Sequence, residues 1–137
     1  MTREMTLAID CGGGGIKGSV VDERGTMMAP ARRVPTPYPL PPELLVETAV
    51  GLAKELPPAT RVTMGMPGMI RHGVVIATPH YITRDGPRSR VLPELVERWD
   101  HFDMGRAIEQ ALSLPTKVLN DAEVAGAGAI TGRGLEM

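Results

Sequence analysis

Four consecutive glycines, Gly12 to Gly15, lie between an apolar run from Met5 to Ile9 and a second from Ser19 to Val21. The runs read as strands over residues 5–10 and 16–22, so the glycines form a turn with bare backbone amides. A turn of this kind admits a phosphate to close approach. Asp10 stands before it and Lys17 after it. A glycine cluster can also be a plain hairpin turn. Two residues suffice to reverse a chain, however, so four exceed the structural need.

Gly13, Gly15 and Gly18 satisfy the G-x-G-x-x-G spacing. In dinucleotide folds that spacing opens a helix, whereas here a strand follows. The P-loop pattern fails as well, because Lys17 follows Ile16 rather than glycine. What remains is a strand–turn–strand whose amides can form an anion nest. Asp10 at the strand end is either a solvated carboxylate or an organiser of a metal and its waters. Cys11 reads as a small buried hydrophobe.

Asp22-Glu23-Arg24-Gly25 predicts a turn into a third strand, Thr26 to Val34. Five prolines in residues 35–42 then impose an extended connector. A helix is expected over Glu43 to Leu56, with Leu45, Ala49, Leu52, Ala53 and Leu56 on one face. A strand follows over Arg61 to Met66, broken by Pro67-Gly68, and then β-like residues Met69 to Ala77 around a turn at Arg71-His72-Gly73. Tyr81 to Arg90 reads as an exposed charged loop. Short helices are expected over Leu92 to Trp99 and over Asp103 to Leu112. In the latter, Asp103 caps and Met104, Ile108, Ala111 and Leu112 share a face. Thr116 to Leu119 predicts a strand, and Asp121 to Thr131 an alanine-rich helix. The order predicts one α/β domain with a mixed sheet, antiparallel at first and parallel later, covered by helices.

Asn120-Asp121 falls where strand passes into helix. Either residue can serve as an N-cap. The same junction points side chains out of the carboxyl edge of a sheet, where open α/β folds bind ligands.

Fifteen basic residues against sixteen acidic ones leave no excess for a general nucleic-acid binder, and aromatics are few. Nine methionines help to build the core. A single cysteine excludes an internal disulfide, and no apolar run approaches the roughly 20 residues that span a bilayer. The cytoplasm is the expected compartment, with no membrane or nucleic-acid partner.

Together these stretches resemble the ROK family of sugar kinases, in the actin-like ATPase superfamily, and most closely its bacterial polyphosphate glucokinases. Asp10 to Gly18 is similar to the family's first phosphate motif. Arg33-Val34-Pro35-Thr36-Pro37-Tyr38-Pro39 resembles its Pro-Thr-Pro segment. Gly65-Met66-Pro67-Gly68-Met69-Ile70, followed by Gly73-Val74-Val75, resembles its Gly-x-Pro-Gly stretch. Asn120-Asp121-Ala122-Glu123 resembles its Asn-Asp-Ala motif. The motifs occur in family order over most of the chain.

The resemblance implies an actin-like (ribonuclease H-like) fold with an initial antiparallel β-meander. It implies phosphoryl transfer from ATP or polyphosphate, with Mg2+, to a hexose such as glucose. Asp121 would be the general base, while Asn120, Pro67 and Gly68 would meet the sugar. Gly12, Gly13, Gly14, Gly15 and Lys17 would meet the donor's phosphates, and Asp10 would organise the metal. Arg84, Arg88 and Arg90 would either line a groove for polyphosphate or belong to a solvated loop.

The departures are specific. Gly14 stands where the family has Thr or Ser, Cys11 replaces an aliphatic residue, and His80 stands where Asn is common. Residues 81–98 are longer than expected before Trp99. The family's later Gly-Thr-Gly segment, sugar-binding Glu, His and zinc-site cysteines do not occur in residues 1–137. The expectation is therefore the N-terminal domain of a two-domain kinase, inactive in isolation. A non-catalytic sugar-binding or regulatory module is the alternative. ROK regulators carry a helix-turn-helix ahead of the glycine turn, and only nine residues precede Asp10. Actin-like kinases often form homodimers, but no exposed apolar stripe in the sequence identifies an interface.

Overall fold

A computed structural model describes residues 4–86 and 88–121. Strands β1 (Thr6–Cys11) and β2 (Gly15–Val21) pair antiparallel around the glycine turn, and β3 (Arg32–Pro35) pairs antiparallel with β2. Strand β4 (Arg61–Met66) runs parallel to β1, and β8 (Thr116–Asn120) runs parallel to β4. The sheet order is β3-β2-β1-β4-β8. This is the expected mixed sheet, antiparallel first and parallel later.

The expected third strand is shorter than Thr26 to Val34. Val21 and Met27 form an isolated bridge, and the ladder resumes only at Arg32. Pro30 lies between them and has no N–H to donate.

Helix α1 (Pro42–Lys54) begins on Pro42, whose fixed φ suits a first helical turn. Leu45, Ala49 and Leu52 are buried at helical spacing. They reach the sheet because Gly18 has no side chain: a Cβ there would meet Leu56 at 3.3 Å and Leu52 at 3.4 Å. The α1 face of the meander is therefore the face of Ile16, Gly18 and Val20, and Gly15 and Lys17 occupy the other face.

A second sheet, in the order β5-β6-β7, contains β5 (Met69–Arg71), β6 (Val74–Ala77) and β7 (Phe102–Asp103). His72 and Gly73 both take positive φ (53° and 82°), the primed-turn geometry that matches strand twist. Helix α2 (Pro93–Trp99) buries Leu95 and Trp99. Helix α3 (Met104–Leu112) is capped by the Asp103 carboxylate, which accepts from the Arg106 amide at 3.0 Å. Met104 and Ile108 are buried as expected, but Ala111 is exposed, and Gly105 packs inward on Gly73 instead. The expected helix after Asp121 lies outside the described residues. Among those described, no helix is long and apolar enough to cross a membrane.

Candidate functional site at the carboxyl edge of the sheet

Parallel register aligns Asp10 with Gly65, and Gly65 with Leu119. The carboxyl ends of β1, β4 and β8 therefore share one edge. The glycine turn, Pro67-Gly68 and Asn120-Asp121 all leave the sheet there, about 5 Å apart from strand to strand. This edge is where open α/β sheets place their ligands.

Gripped carbonyls define the glycine turn. The Gly12 amide donates to the Gly15 carbonyl at 2.9 Å. The Gly12 carbonyl accepts from Thr36 Oγ1 at 2.9 Å and from Tyr81 Oη at 2.8 Å. The Gly13 carbonyl accepts from Tyr38 Oη at 2.8 Å. A longer bond, 3.4 Å, joins the Thr36 amide to the Gly14 carbonyl. In a planar trans peptide, the N–H after each carbonyl points the opposite way. The amides of Gly13, Gly14 and Gly15 are therefore turned away from the Thr36–Tyr38 segment and from Tyr81. An approaching anion would meet these amides from the side opposite the gripped carbonyls.

Backbone strain does not explain these glycines. Gly12, Gly14 and Gly15 avoid the left-handed region, and a Cβ on exposed Gly14 would meet nothing within 4 Å. Neither conformation nor packing requires glycine at position 14. At Gly15 a Cβ would instead occupy the space taken by the Arg33 guanidinium.

On β4 the exit is rigid. Gly68 takes φ 116°, and a Cβ there would run into the Ala77 carbonyl and lie 2.9 Å from Thr78 Cα. Only glycine fits. Buried Thr78 donates through Oγ1 to the Pro67 carbonyl at 3.0 Å, and Asn120 Nδ2 donates to the Gly68 carbonyl at 2.5 Å. Asn120 thus locks the end of β8 to the end of β4, and Asp121 follows, exposed.

Asp10 is exposed, and its charge acts with that of Asp121 on both Cys11 and Tyr81. Burial first, and the two carboxylates second, push the Cys11 thiol well above its ordinary range, while burial, then Cys11 and Tyr38, and last the carboxylates raise the Tyr81 hydroxyl. Burial also raises Tyr38. Both tyrosines therefore remain neutral donors to the turn, and Cys11 is an inert core thiol, as expected.

Mg2+ takes one or two carboxylates plus substrate phosphates and keeps several waters. Asp10, exposed at the strand end beside the glycine turn, is a carboxylate that fits that demand. Among the described residues, no cluster of three or more His, Cys, Asp or Glu forms a cage.

Sequence reasoning missed Thr36, Tyr38, Tyr81 and Arg33 as parts of this site. Tyr81 to Arg90 is not simply the exposed loop expected, since Tyr81, Thr83 and Gly86 are buried. Gly86 packs on the Tyr38 ring, where a Cβ would sit 3.1 Å from Cε2. Arg84, Arg88 and Arg90 are exposed, and so is His80. The chain's two tyrosines, one tryptophan and one phenylalanine form one ladder. Ring centroids are 6.4 Å apart for Tyr38–Tyr81, 5.7 Å for Tyr81–Trp99 and 6.2 Å for Trp99–Phe102. Trp99 Nε1 donates to the Leu40 carbonyl at 2.8 Å, which anchors the proline-rich connector. A residue-poor signal was available: in a chain with so few aromatics, Tyr38 between two prolines has no local packing reason.

A cavity of about 610 Å³ opens elsewhere, among Ile70, Arg71, Gly73, Asp103, Arg106 and Lys117. It contains none of the expected site residues.

Comparison with known proteins places these features in context. The model of a family described as the ROK family matches residues 6–134. The chain is 33% identical over 122 residues to N-acetylmannosamine kinase of Escherichia coli (strain K12), covering 88% of this chain and 37% of that protein. Among solved structures, the inorganic polyphosphate/ATP-glucomannokinase of Arthrobacter sp. strain KM is 34% identical, with a TM-score of 0.72. It covers 96% of this chain and 50% of that one. A ROK family glucokinase of Streptomyces griseus, solved with glucose and AMPPNP, is 28% identical, with a TM-score of 0.71. It covers 95% of this chain and 38% of that one. The chain therefore spans between about a third and half of the length of these relatives.

Proposed function

The chain belongs to the ROK family, and from that premise we propose that it is the donor-binding half of a hexose kinase. The complete kinase would transfer the terminal phosphoryl group of ATP or polyphosphate to a hydroxyl of a hexose, with glucose as the first candidate. One observation carries the reading. The carbonyls of Gly12, Gly13 and Gly14 are held by donors from the 36–38 segment and Tyr81, at the sheet edge that also presents Asn120 and Asp121.

Phosphoryl transfer needs positioning, charge neutralisation and one group to receive the hydroxyl proton. The glycine amides and Lys17 receive the donor's phosphates. Asp10 would hold Mg2+, which would supply charge neutralisation on those phosphates. Asn120, fixed to the Gly68 carbonyl, sets the position of the sugar beside Pro67-Gly68. Asp121 accepts the hydroxyl proton as the sugar oxygen bonds to phosphorus and the phosphoanhydride bond breaks. The shortened donor leaves with the bridging oxygen.

In the complete kinase, Asp121→Asn lowers turnover about 10²- to 10⁴-fold, the usual worth of a general base, and leaves glucose affinity nearly unchanged. Near-normal turnover would refute the assignment. The 137 residues by themselves bind tripolyphosphate or AMPPNP without turnover. Glucose binding with no donor binding would assign the chain instead to a sugar-binding or regulatory role.

A further inference from the structure

We propose that Arg33 and Lys17 form a second anion position that continues the glycine turn along the β2–β3 ladder. It receives phosphates of the donor beyond the one held by the turn. The inference rests on the kinase reading and extends it to a residue outside the glycine motif.

Register places Lys17 directly opposite Arg33 across β2–β3, and Asp10 opposite Lys17 across β1–β2. All three are exposed, and they form one row on the face away from α1. Two cations directly opposite each other in an antiparallel pair are destabilising. Asp10 offsets part of that repulsion for Lys17, but Arg33 is the outer member of the row. Among the described residues, neither Lys17 nor Arg33 has a carboxylate within ion-pair distance.

The Arg33 guanidinium points back toward the turn. It lies over Gly15, in the space that any side chain at position 15 would need. Glycine at 15 thus admits a planar fork of N–H donors onto the backbone next to the outward amides of Gly13 and Gly14. Arg32 provides the contrast. It lies on the α1 face, with Nε 3.8 Å from the Glu55 carboxylate. Two adjacent arginines therefore have different tasks: one pairs with a helix, and the other overlies the phosphate turn without a counter-ion. A phosphoanhydride chain supplies the missing charge. That chemistry is common to a nucleoside triphosphate and to inorganic polyphosphate.

Calorimetry with the 137-residue chain tests this, using tripolyphosphate and AMPPNP as probes at two salt concentrations. Arg33→Ala is expected to weaken tripolyphosphate binding about tenfold, the worth of one charge-assisted contact, and to flatten its salt dependence. Arg32→Ala, with the same change in charge, is expected to bind like the unmodified chain. An equal loss for AMPPNP assigns the position to nucleotide phosphates, and a loss confined to tripolyphosphate assigns it to an inorganic chain. Gly14→Asp serves as the control, since it places a carboxylate on the turn in open space. If Gly14→Asp abolishes binding and Arg33→Ala changes neither probe, the Arg33 site is refuted while the turn keeps its role. If the unmodified chain binds neither probe, the kinase reading falls with it.

Discussion

The Tyr81 hydroxyl donates to the Gly12 carbonyl at 2.8 Å, across 69 residues of sequence. Tyr38 does the same for the next carbonyl, Gly13. Two aromatic side chains thus hold consecutive peptide groups of one turn in a fixed orientation. Their rings continue through Trp99 to Phe102, so the orientation of the turn is anchored in the packing between α2 and the connector. A turn held this way is organised before any ligand arrives, which would lower the ordering cost of binding a phosphate there.

Removing either hydroxyl separates the two tasks of the brace. Tyr81→Phe costs about 1 kcal/mol of stability, the net worth of a buried hydrogen bond, because Thr36 still satisfies the Gly12 carbonyl. Tyr38→Phe costs less stability, since Tyr38 is half-buried and water can replace its hydroxyl. It weakens tripolyphosphate binding more, because the Gly13 carbonyl then has no protein donor among the described residues. Urea unfolding and calorimetry on both variants check this. Equal binding by the unmodified chain and Tyr38→Phe would contradict it.

Two glycines at the site edge have opposite sensitivities. Gly68→Ala forces a side chain into φ 116° and against the Ala77 carbonyl. The expected loss is about 3 kcal/mol or more, read as a large fall in Tm. Gly14→Ala meets open space at an unstrained φ, so stability changes by less than about 1 kcal/mol. Gly14→Thr places a hydroxyl on the turn from the same open position. Tighter tripolyphosphate binding by that variant is expected, with no change in Tm.

Alkaline pH weakens the fold, and the sign follows from proton binding. The Cys11 and Tyr81 groups are held above their ordinary pKa values of 9.0 and 10.0 by burial. Above pH 9 the unfolded chain begins to lose a proton from Cys11 that the folded chain keeps. Tyr81 adds a second such loss above pH 10. Each group then removes up to about 1.4 kcal/mol of stability per pH unit until its folded value is reached. Below pH 9 neither contributes a slope. Urea midpoints at pH 8, 9, 10 and 10.5 are expected to be flat and then falling. A midpoint that rises between pH 9 and 10.5 would contradict the buried, neutral state of both groups.

Local patterning made the meander, the Pro67-Gly68 break and the helices legible, because apolar spacing, glycine and proline act within a few residues. The third strand was overextended because the apolar pattern around Met27 and Met28 concealed the donor missing at Pro30. Tyr81 to Arg90 looked solvated because its charges dominate, although Tyr81, Thr83 and Gly86 turn inward. The brace itself was not legible. Hydroxyl-to-carbonyl bonds spanning 25 and 69 residues leave no periodicity in sequence. Nor could the opposition of Lys17 and Arg33 be read before the β2–β3 register was known.

The central claim is that outward glycine amides at this sheet edge bind the phosphates of the donor. Amide NMR of the chain during titration with tripolyphosphate addresses it most directly. The largest, saturating shifts are expected at the Gly13 and Gly14 amides, with smaller ones at Arg33 and Asp121. Saturable binding that leaves Gly13 and Gly14 unmoved, with shifts confined to residues such as Arg71, Arg106 and Lys117 around the separate cavity, would contradict the account.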